Sequence, residues 1–340
     1  MTAMRLPDPG DRIIDFTRPG PDGAPVGLYE ARCGTPTILI AGAAGAVATA
    51  LAAISGTGIP AEAVVAVAGD PPTNATGPVT WLVDGDGAVG QALGADRAAE
   101  AVWFVLAPTL RVAGRGPVAG AWLEDVATAY GAVAIVASPS DVTVGGVAPV
   151  LVLPAVLEPD LCGSLIDAFE AGGHAESGMP RMVDGQVRLV PDADAKVRRD
   201  LTLPDGPLNA AVVDRLARRV LPEIAKAFFY PVTRFEALKL VRYDGERAGH
   251  FRAHRDNTTP DAAHRRFALT INLNTGDYDG GTLVFPEFGP GAYAPPAGGA
   301  IVFSCSHLHA VHPVTRGRRY ALISFLYGDR DSRRAGGRGY

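Results

Sequence analysis

From Ala237 to Phe325 the chain offers five short runs with strand character, and glycine or proline separates nearly all of them. ALKLVRY (Ala237–Tyr243) and FALTINL (Phe267–Leu273) alternate apolar and polar side chains. Thr282–Phe285, Ala300–Cys305 and Tyr320–Phe325 are the others. A period of two suits a pleated strand, whose successive side chains face opposite sides. Short strands punctuated in this way predict an all-β architecture of jelly-roll type.

The first 148 residues follow another rule. TILI (Thr37–Ile40), Val64–Val67, Val79–Val83, Val102–Leu106 and Leu110–Ala113 read as strands, while Ala43–Ile54, Gly87–Leu93 and Trp122–Tyr130 read as helices. Such alternation predicts an α/β sandwich with helices over a mixed sheet. The small, turn-forming residues of SPSDVTVGGVAP (Ser138–Pro149) mark a linker. The expected organisation is therefore multidomain: an α/β domain over 1–140, a linker over 141–149, a β domain with supporting helices over 150–329, and a disordered tail over 330–340.

Pro159 suits the first turn of a helix carrying Leu161, Leu165, Ile166 and Phe169 on one face. Val212, Leu216, Val220, Ile224 and Phe228 give a second helix over 208–229, which Pro222 should kink or split. Between them, residues 173–204 are polar and without period, and a loop of that length is either a lid or a solvated insertion.

A chain of 340 residues, 47% of them hydrophobic, can build two cores. The net charge of −5 argues against a nucleic-acid partner. Three dispersed cysteines without a C-x-x-C spacing argue against a disulfide framework or zinc ribbon and fit a reducing cytoplasm. The opening MTAMRLPDPGDR lacks an apolar targeting core, and no apolar run approaches the roughly 20 residues that span a bilayer. The expectation is a soluble cytoplasmic protein without membrane or nucleic-acid partners.

The chemistry-bearing residues gather in HFRAHRDN (His250–Asn257) and HLHAVHPVTRGRRYALISF (His307–Phe325). His254 and Asp256 are two apart and would point the same way in extended chain. His309 comes 53 residues after Asp256 (309 − 256), a separation that suits a ligand from a distant strand. Two histidines and a carboxylate on one face leave coordination positions open, as in non-haem Fe(II) oxygenases. Catalytic zinc sites share these ligand types. Arg319 shares strand parity with Ala321, Ile323 and Phe325, whereas Arg318 points outward. A buried arginine among apolar residues needs an anion, and its planar fork matches a carboxylate. A dicarboxylic cosubstrate bridging Arg319 and the metal would satisfy both.

These pieces, together with RY (Arg242–Tyr243), LTINLN (Leu269–Asn274), GGTLVF (Gly280–Phe285) and HAVHPVTRGRRYAL (His309–Leu322), resemble the 2-oxoglutarate/Fe(II)-dependent dioxygenases of the prolyl 4-hydroxylase-like branch. The resemblance covers roughly Val150–Asp329 and implies a double-stranded β-helix. It implies that His254, Asp256 and His309 bind iron, His309 being chosen over His307 and His312 because His-x-Val-x-Pro-Val precedes the arginine strand. It further implies that Arg319 binds the distal carboxylate of 2-oxoglutarate and that Tyr243 lines the cosubstrate pocket. Asn272 stands where some relatives carry a tyrosine that touches the cosubstrate, and its amide could donate a hydrogen bond there. The implied cofactors are Fe(II), 2-oxoglutarate and O2, with room for ascorbate. The implied reaction hydroxylates an unactivated C–H of a prolyl-type protein residue or an amino-acid-like small molecule, releasing succinate and CO2. Arg252, Arg198 and Arg199 hint at an anionic group on that small-molecule or peptide substrate.

PGDRIIDF (Pro9–Phe16), TILI, VDGDG (Val83–Gly87) and VWFVLAPTLRV (Val102–Val112) resemble the peroxiredoxin branch of the thioredoxin fold. That family's attacking cysteine follows the strand equivalent to TILI, at a helix N-terminus that lowers its pKa. This chain has AGAAGAV there, and Cys33 lies before the strand. The expectation is a domain without peroxidase chemistry, left to scaffold, homodimerise or dock a partner. The rival functions are a thiol peroxidase using Cys33 and a non-catalytic partner-binding protein.

Overall fold

The computed structural model describes residues 6–32, 35–70, 78–95, 100–134, 147–183, 186–289 and 291–332. Cys33, residues 141–146 of the expected linker and residues 333–340 of the expected tail lie outside the described residues. The chain divides into two compact units, Met1–Val142 and Thr143–Tyr340. No helix among the described residues is long and apolar enough to cross a membrane.

The first unit is built on a five-stranded sheet. Its strands are β1 (Thr37–Gly42), β2 (Val64–Ala68), β3 (Thr80–Val83), β4 (Ala101–Leu106) and β5 (Val112–Pro117), in the spatial order β3-β2-β1-β4-β5. β1 runs parallel to β2, and β2 to β3, while β4 is antiparallel to both β1 and β5. Ile38 and Ile40 of β1 pack with Val47 and Ile54 of α1 (Ala44–Ile54) and with Trp122 and Val126 of α2 (Trp122–Ala134). Leu39 and Ala41 face a second cluster with Ile13, Leu28, Val89 and Leu93. Both faces of the sheet are covered, which is why TILI is apolar throughout instead of alternating. Leu110 corrects one expected boundary. It adopts φ +60° in the turn before β5, and the strand begins only at Val112.

The second unit stacks two antiparallel sheets. The larger has eight strands. Its main path joins β6 (Leu151–Leu153), β15 (Ala300–Ser304), β12 (Phe267–Asn272), β17 (Arg318–Tyr327), β10 (Lys239–Asp244), β9 (Arg199–Thr202) and β7 (Ala175–Glu176). Arg234–Phe235 pairs with the end of β17. The smaller sheet orders β8 (Lys196–Val197), β11 (His250–His254), β16 (His309–Val311), β13 (Leu283–Val284) and β14 (Ala292–Tyr293).

Alternation sorts each strand of the larger sheet between two cores. Leu240, Leu269, Ile271, Val302 and Leu322 face α3 (Pro159–Ala171), α4 (Pro207–Arg219) and α5 (Leu221–Phe228) through Phe169, Leu216 and Ile224. Val241, Tyr243, Ala268, Ile301, Phe303 and Ala321 form the other core, with Leu283 and Val311 of the smaller sheet. Each Val, Leu, Ile or Phe among them contributes about 1.5–3 kcal/mol on burial. A surface ion pair contributes about 0–1 kcal/mol. The two apolar clusters therefore dominate the unit's stability.

Two expectations change here, and a third, the split at Pro222, is met. Residues 173–204 are not irregular: they supply β7, β8 and β9 and a hairpin of Met179–Val183 with Gln186–Val190. Backbone pairing drives this, within the hairpin itself and to neighbouring strands for β7, β8 and β9, and it leaves no apolar period in the sequence. The run 208–229 splits into α4 and α5, with Pro222 in the first turn of the second helix, where its missing N–H is tolerated. Residues 330–332 are helical, as part of Asp329–Ser332, because the Asp331 carboxylate accepts hydrogen bonds from Tyr230 and Arg266.

Candidate metal and cosubstrate site

His254 ends β11 and His309 begins β16, and the two are partners in the pairing of these antiparallel strands. The register slips between Phe251 and His254: Phe251 opposes Val311, and His254 opposes His309. Four residues on one strand, 251–254, thus match three on the other, 309–311, a β-bulge that brings Phe251 and His254 onto one face. The Phe251 ring stacks on His254 with centroids 3.6 Å apart, and Phe303 packs against His309 at 4.6 Å. Both imidazoles are walled by aromatic rings that restrict their rotation.

Asp256 lies two residues past the strand, in a bend, so extended-chain parity does not place it. Its N–H donates to the Cys305 carbonyl at 2.9 Å, and its own carbonyl accepts from Arg265 at 3.2 Å. Its carboxylate oxygens lie 3.4 Å from His254 Nε2 and 3.3 Å from His309 Nε2. One donor atom from each of the three residues falls within 4.8 Å of the others.

The outer nitrogens fix which atoms remain available. His254 Nδ1 faces the Arg252 carbonyl at 2.8 Å, and His309 Nδ1 faces the His307 carbonyl at 3.0 Å. A carbonyl only accepts, so each Nδ1 carries the hydrogen and Nε2 turns inward. Burial opposes ionisation of Asp256, yet the two imidazoles facing it hold its carboxyl below the usual range. Burial pushes His309 down, toward the neutral imidazole. Two imidazole nitrogens and a carboxylate converging on one point form a donor set that a divalent cation satisfies.

Arg319 stands on β17, 3% exposed, opposite Tyr243 on β10. Its Nη2 donates to Asn272 Oδ1 at 2.9 Å, while Nε has no hydrogen-bond partner among the described residues. Its guanidinium carbon lies 5.2 Å from the Tyr243 ring centre. Gly281, at φ +63°, leaves room for the side chain, since a Cβ there would stand 2.9 Å from Arg319 Cδ. A buried guanidinium with an open donor fits a carboxylate.

The other sequence candidates fall in different places. Arg198 is beside the site, within 5.9 Å of the Tyr243 ring and 5.6 Å of Phe251. Its guanidinium forks onto Asp200 at 2.7 and 2.8 Å, and a third nitrogen donates to Tyr243 Oη at 3.4 Å. Arg199 donates to His174 Nδ1 at 3.0 Å. Arg252 is exposed next to the metal ligands. Arg318 is exposed, as parity required. His307 packs edge-on to Phe288, and His312 Nδ1 meets Thr282 Oγ1 at 3.1 Å.

Sequence reasoning missed Lys196, whose Nζ lies 5.0 Å over the Phe251 ring and donates to the Gly178 carbonyl at 2.9 Å. It also missed Tyr278 and Thr275, which bond to Asn272. No periodic signal marks Lys196, but the Gly-Gly step at 280–281 was a visible sign of close backbone approach near Arg319.

A family model described as the 2OG-Fe(II) oxygenase superfamily matches residues 238–327. A PKHD-type hydroxylase of Delftia acidovorans is 32% identical over 189 residues, covering 52% of this chain and 76% of the relative. One from Polaromonas sp. is 31% identical over 189 residues, covering 52% of this chain and 77% of the relative. Among solved structures, a prolyl hydroxylase from Trichoplax adhaerens, in complex with a hypoxia inducible factor peptide fragment, matches with a TM-score of 0.44. It is 15% identical, and the match covers 56% of this chain and 88% of that one.

Proposed function

Because this chain belongs to the 2OG-Fe(II) oxygenase superfamily, with PKHD-type hydroxylases as relatives, we propose that it hydroxylates an unactivated C–H bond of a prolyl-type protein residue or an amino-acid-like small molecule. It is a 2-oxoglutarate-dependent dioxygenase and uses Fe(II), 2-oxoglutarate and O2. The observation that carries the proposal is the convergence of His254, Asp256 and His309, with the open donor of Arg319 in the same unit.

On this reading His254, Asp256 and His309 hold the iron and Arg319 takes the distal carboxylate of 2-oxoglutarate. Bound there, iron with 2-oxoglutarate and O2 supplies the oxidising power for C–H hydroxylation, with succinate and CO2 released. The protein's part is orientation. The carbonyls of Arg252 and His307 fix the imidazole tautomers, Phe251 and Phe303 fix the ring planes, and Tyr243 presents its ring to Arg319. Arg252, exposed beside the ligands, is the residue we assign to an anionic substrate group. Arg198 is already committed to Asp200 and shapes the wall instead.

The same reading extends to the folds. Two stacked antiparallel sheets, the smaller carrying His254 and His309, support a double-stranded β-helix over 150–329. The order β3-β2-β1-β4-β5, parallel on one side of β1 and antiparallel on the other, supports a thioredoxin-like domain over 1–140. Ala43 and Ala44 stand at the mouth of α1, so that domain is assigned no thiol chemistry there.

The test is succinate formation from 2-oxoglutarate by the full-length protein. Turnover should require added Fe(II) and disappear in His254→Ala. Equal turnover by wild type and variant would sink the assignment.

A further inference from the structure

Arg319 is buried, and a free guanidinium in a pocket would sample several rotamers. Its fork is useful only if one orientation is enforced. Asn272, 2% exposed on neighbouring β12, is the group that enforces it. A guanidinium has no acceptor, so Asn272 must turn its oxygen toward Arg319, and Nη2 donates to that oxygen at 2.9 Å. The amide nitrogen then faces the other way. Its two hydrogens are shared among Thr275 Oγ1 at 3.0 Å, Tyr278 Oη at 3.2 Å and the Pro295 carbonyl at 3.4 Å. Thr275 is itself tied to the Pro295 carbonyl at 2.8 Å.

Both ends of the Asn272 amide are therefore engaged within the protein. The amide cannot offer a hydrogen bond to a cosubstrate without giving up one of these partners, each of them at least partly buried. That answers the sequence expectation for this position, where direct contact was the natural role. We propose that Asn272, clamped by Thr275, Tyr278 and Pro295, is a positioning residue: it occupies Nη2 of Arg319 and so points the remaining donors, Nε among them, at the distal carboxylate. This rests on the reading of Arg319 as the holder of that carboxylate.

The consequence is selectivity. Loss of Asn272 should weaken ligands that use Arg319 and spare those that do not. The measurement is calorimetric binding to the full-length, Co(II)-loaded protein, without turnover. The two ligands are 2-oxoglutarate and 2-oxopentanoate, which keeps the 2-oxo acid head and lacks the distal carboxylate. Asn272→Ala is expected to weaken 2-oxoglutarate about 10-fold and 2-oxopentanoate less than about twofold, the size of one charge-assisted contact. In an Arg319→Met background Asn272→Ala should cost nothing further, because two residues acting through one contact are not additive.

Equal weakening of both ligands, or a full extra loss in the Arg319→Met background, would overturn the proposal. The first outcome makes Asn272 merely structural, and the second gives it a direct contact. If Asn272→Ala does not fold by thermal melting, Tyr278→Phe and Thr275→Ala loosen the clamp from its far side. Each should show the same selective loss at smaller size, and no selectivity in either would overturn the proposal equally. Failure of wild type to prefer 2-oxoglutarate over 2-oxopentanoate would instead remove the underlying reading of Arg319.

Discussion

Tyr243 and Arg319 stand opposite one another on neighbouring strands, the guanidinium carbon 5.2 Å from the centre of the phenol ring. Arg198 lies 5.9 Å from the same ring. An aromatic face near a buried cation stabilises it by about 0.5–2 kcal/mol. Tyr243→Phe keeps the ring and loses only a long contact from Arg198, so affinity for 2-oxoglutarate should change less than about threefold. Tyr243→Ala removes the ring and should weaken it about 10-fold, consistent with that energy range. Isothermal titration of the Co(II)-loaded protein separates the two.

Arg319→Met should weaken 2-oxoglutarate about 100-fold, since a buried charge-assisted fork is lost. The ligand-free variant should be no less stable than wild type. A buried cation whose Nε has no partner among the described residues is costly, and an apolar side chain of similar length removes that cost. Urea melts without ligand would show a marked drop in stability if this account is mistaken.

The metal site should fail stepwise. His309→Ala removes one of three donors and should lower Co(II) affinity by more than about 100-fold, beyond what losing an outer partner costs. Phe303→Leu leaves the donors and removes the ring beside His309, so its effect should stay within about 10-fold. Equilibrium dialysis with Co(II) orders the two variants.

Gly281→Ala tests the space reserved for Arg319. Its φ of +63° disfavours any side chain, and the new Cβ would sit 2.9 Å from both Arg319 Cδ and Val314 Cγ2. The strain should cost about 1–2 kcal/mol of stability. Displacing the arginine should also weaken 2-oxoglutarate, so denaturant midpoint and ligand affinity should fall together.

Lys196 supplies a pH-dependent test. Burial, reinforced by the nearby charge of Arg198, lowers its pKa to about 8. The unfolded chain keeps the ordinary, higher value. Below pH 8 both states are protonated and the full cost of burying the charge is felt. Above it the folded state loses its proton first, the unfolded state binds more protons, and stability contributed at this site rises with pH. Lys196→Met should therefore be most stabilising near neutral pH, with the advantage shrinking as pH rises from about 8 toward 10. Melting curves across that range check the sign, and an advantage that grows with pH would contradict it.

The proposed donor residues stand out in the sequence because each is short-range chemistry written in a fixed type: His254 and Asp256 in one segment, His309 ahead of the arginine strand, and Arg319 marked by alternation along β17. The strand and helix pattern of the first unit was legible because TILI is a short unbroken apolar run and the run after it keeps a helical spacing. Residues 173–204 were not legible. Their strands are held by pairing to distant edges, and Lys196 opposes Phe251 only once β8 has joined β11.

The sequence by itself determined the residue types at the centre, the side of β17 that Arg319 occupies, and the alternation that separates the two cores of the second unit. These follow from covalent spacing and the two-residue period of a strand. The tertiary structure decided the rest. A register slip opposite β16 puts Phe251 and His254 on one face, a bend held by Cys305 and Arg265 brings in Asp256, and the Thr275–Tyr278–Pro295 clamp turns the Asn272 oxygen toward Arg319. Each includes a pairing between segments far apart in the chain, such as Asp256 with Cys305 and Asn272 with Arg319, and no local pattern records those.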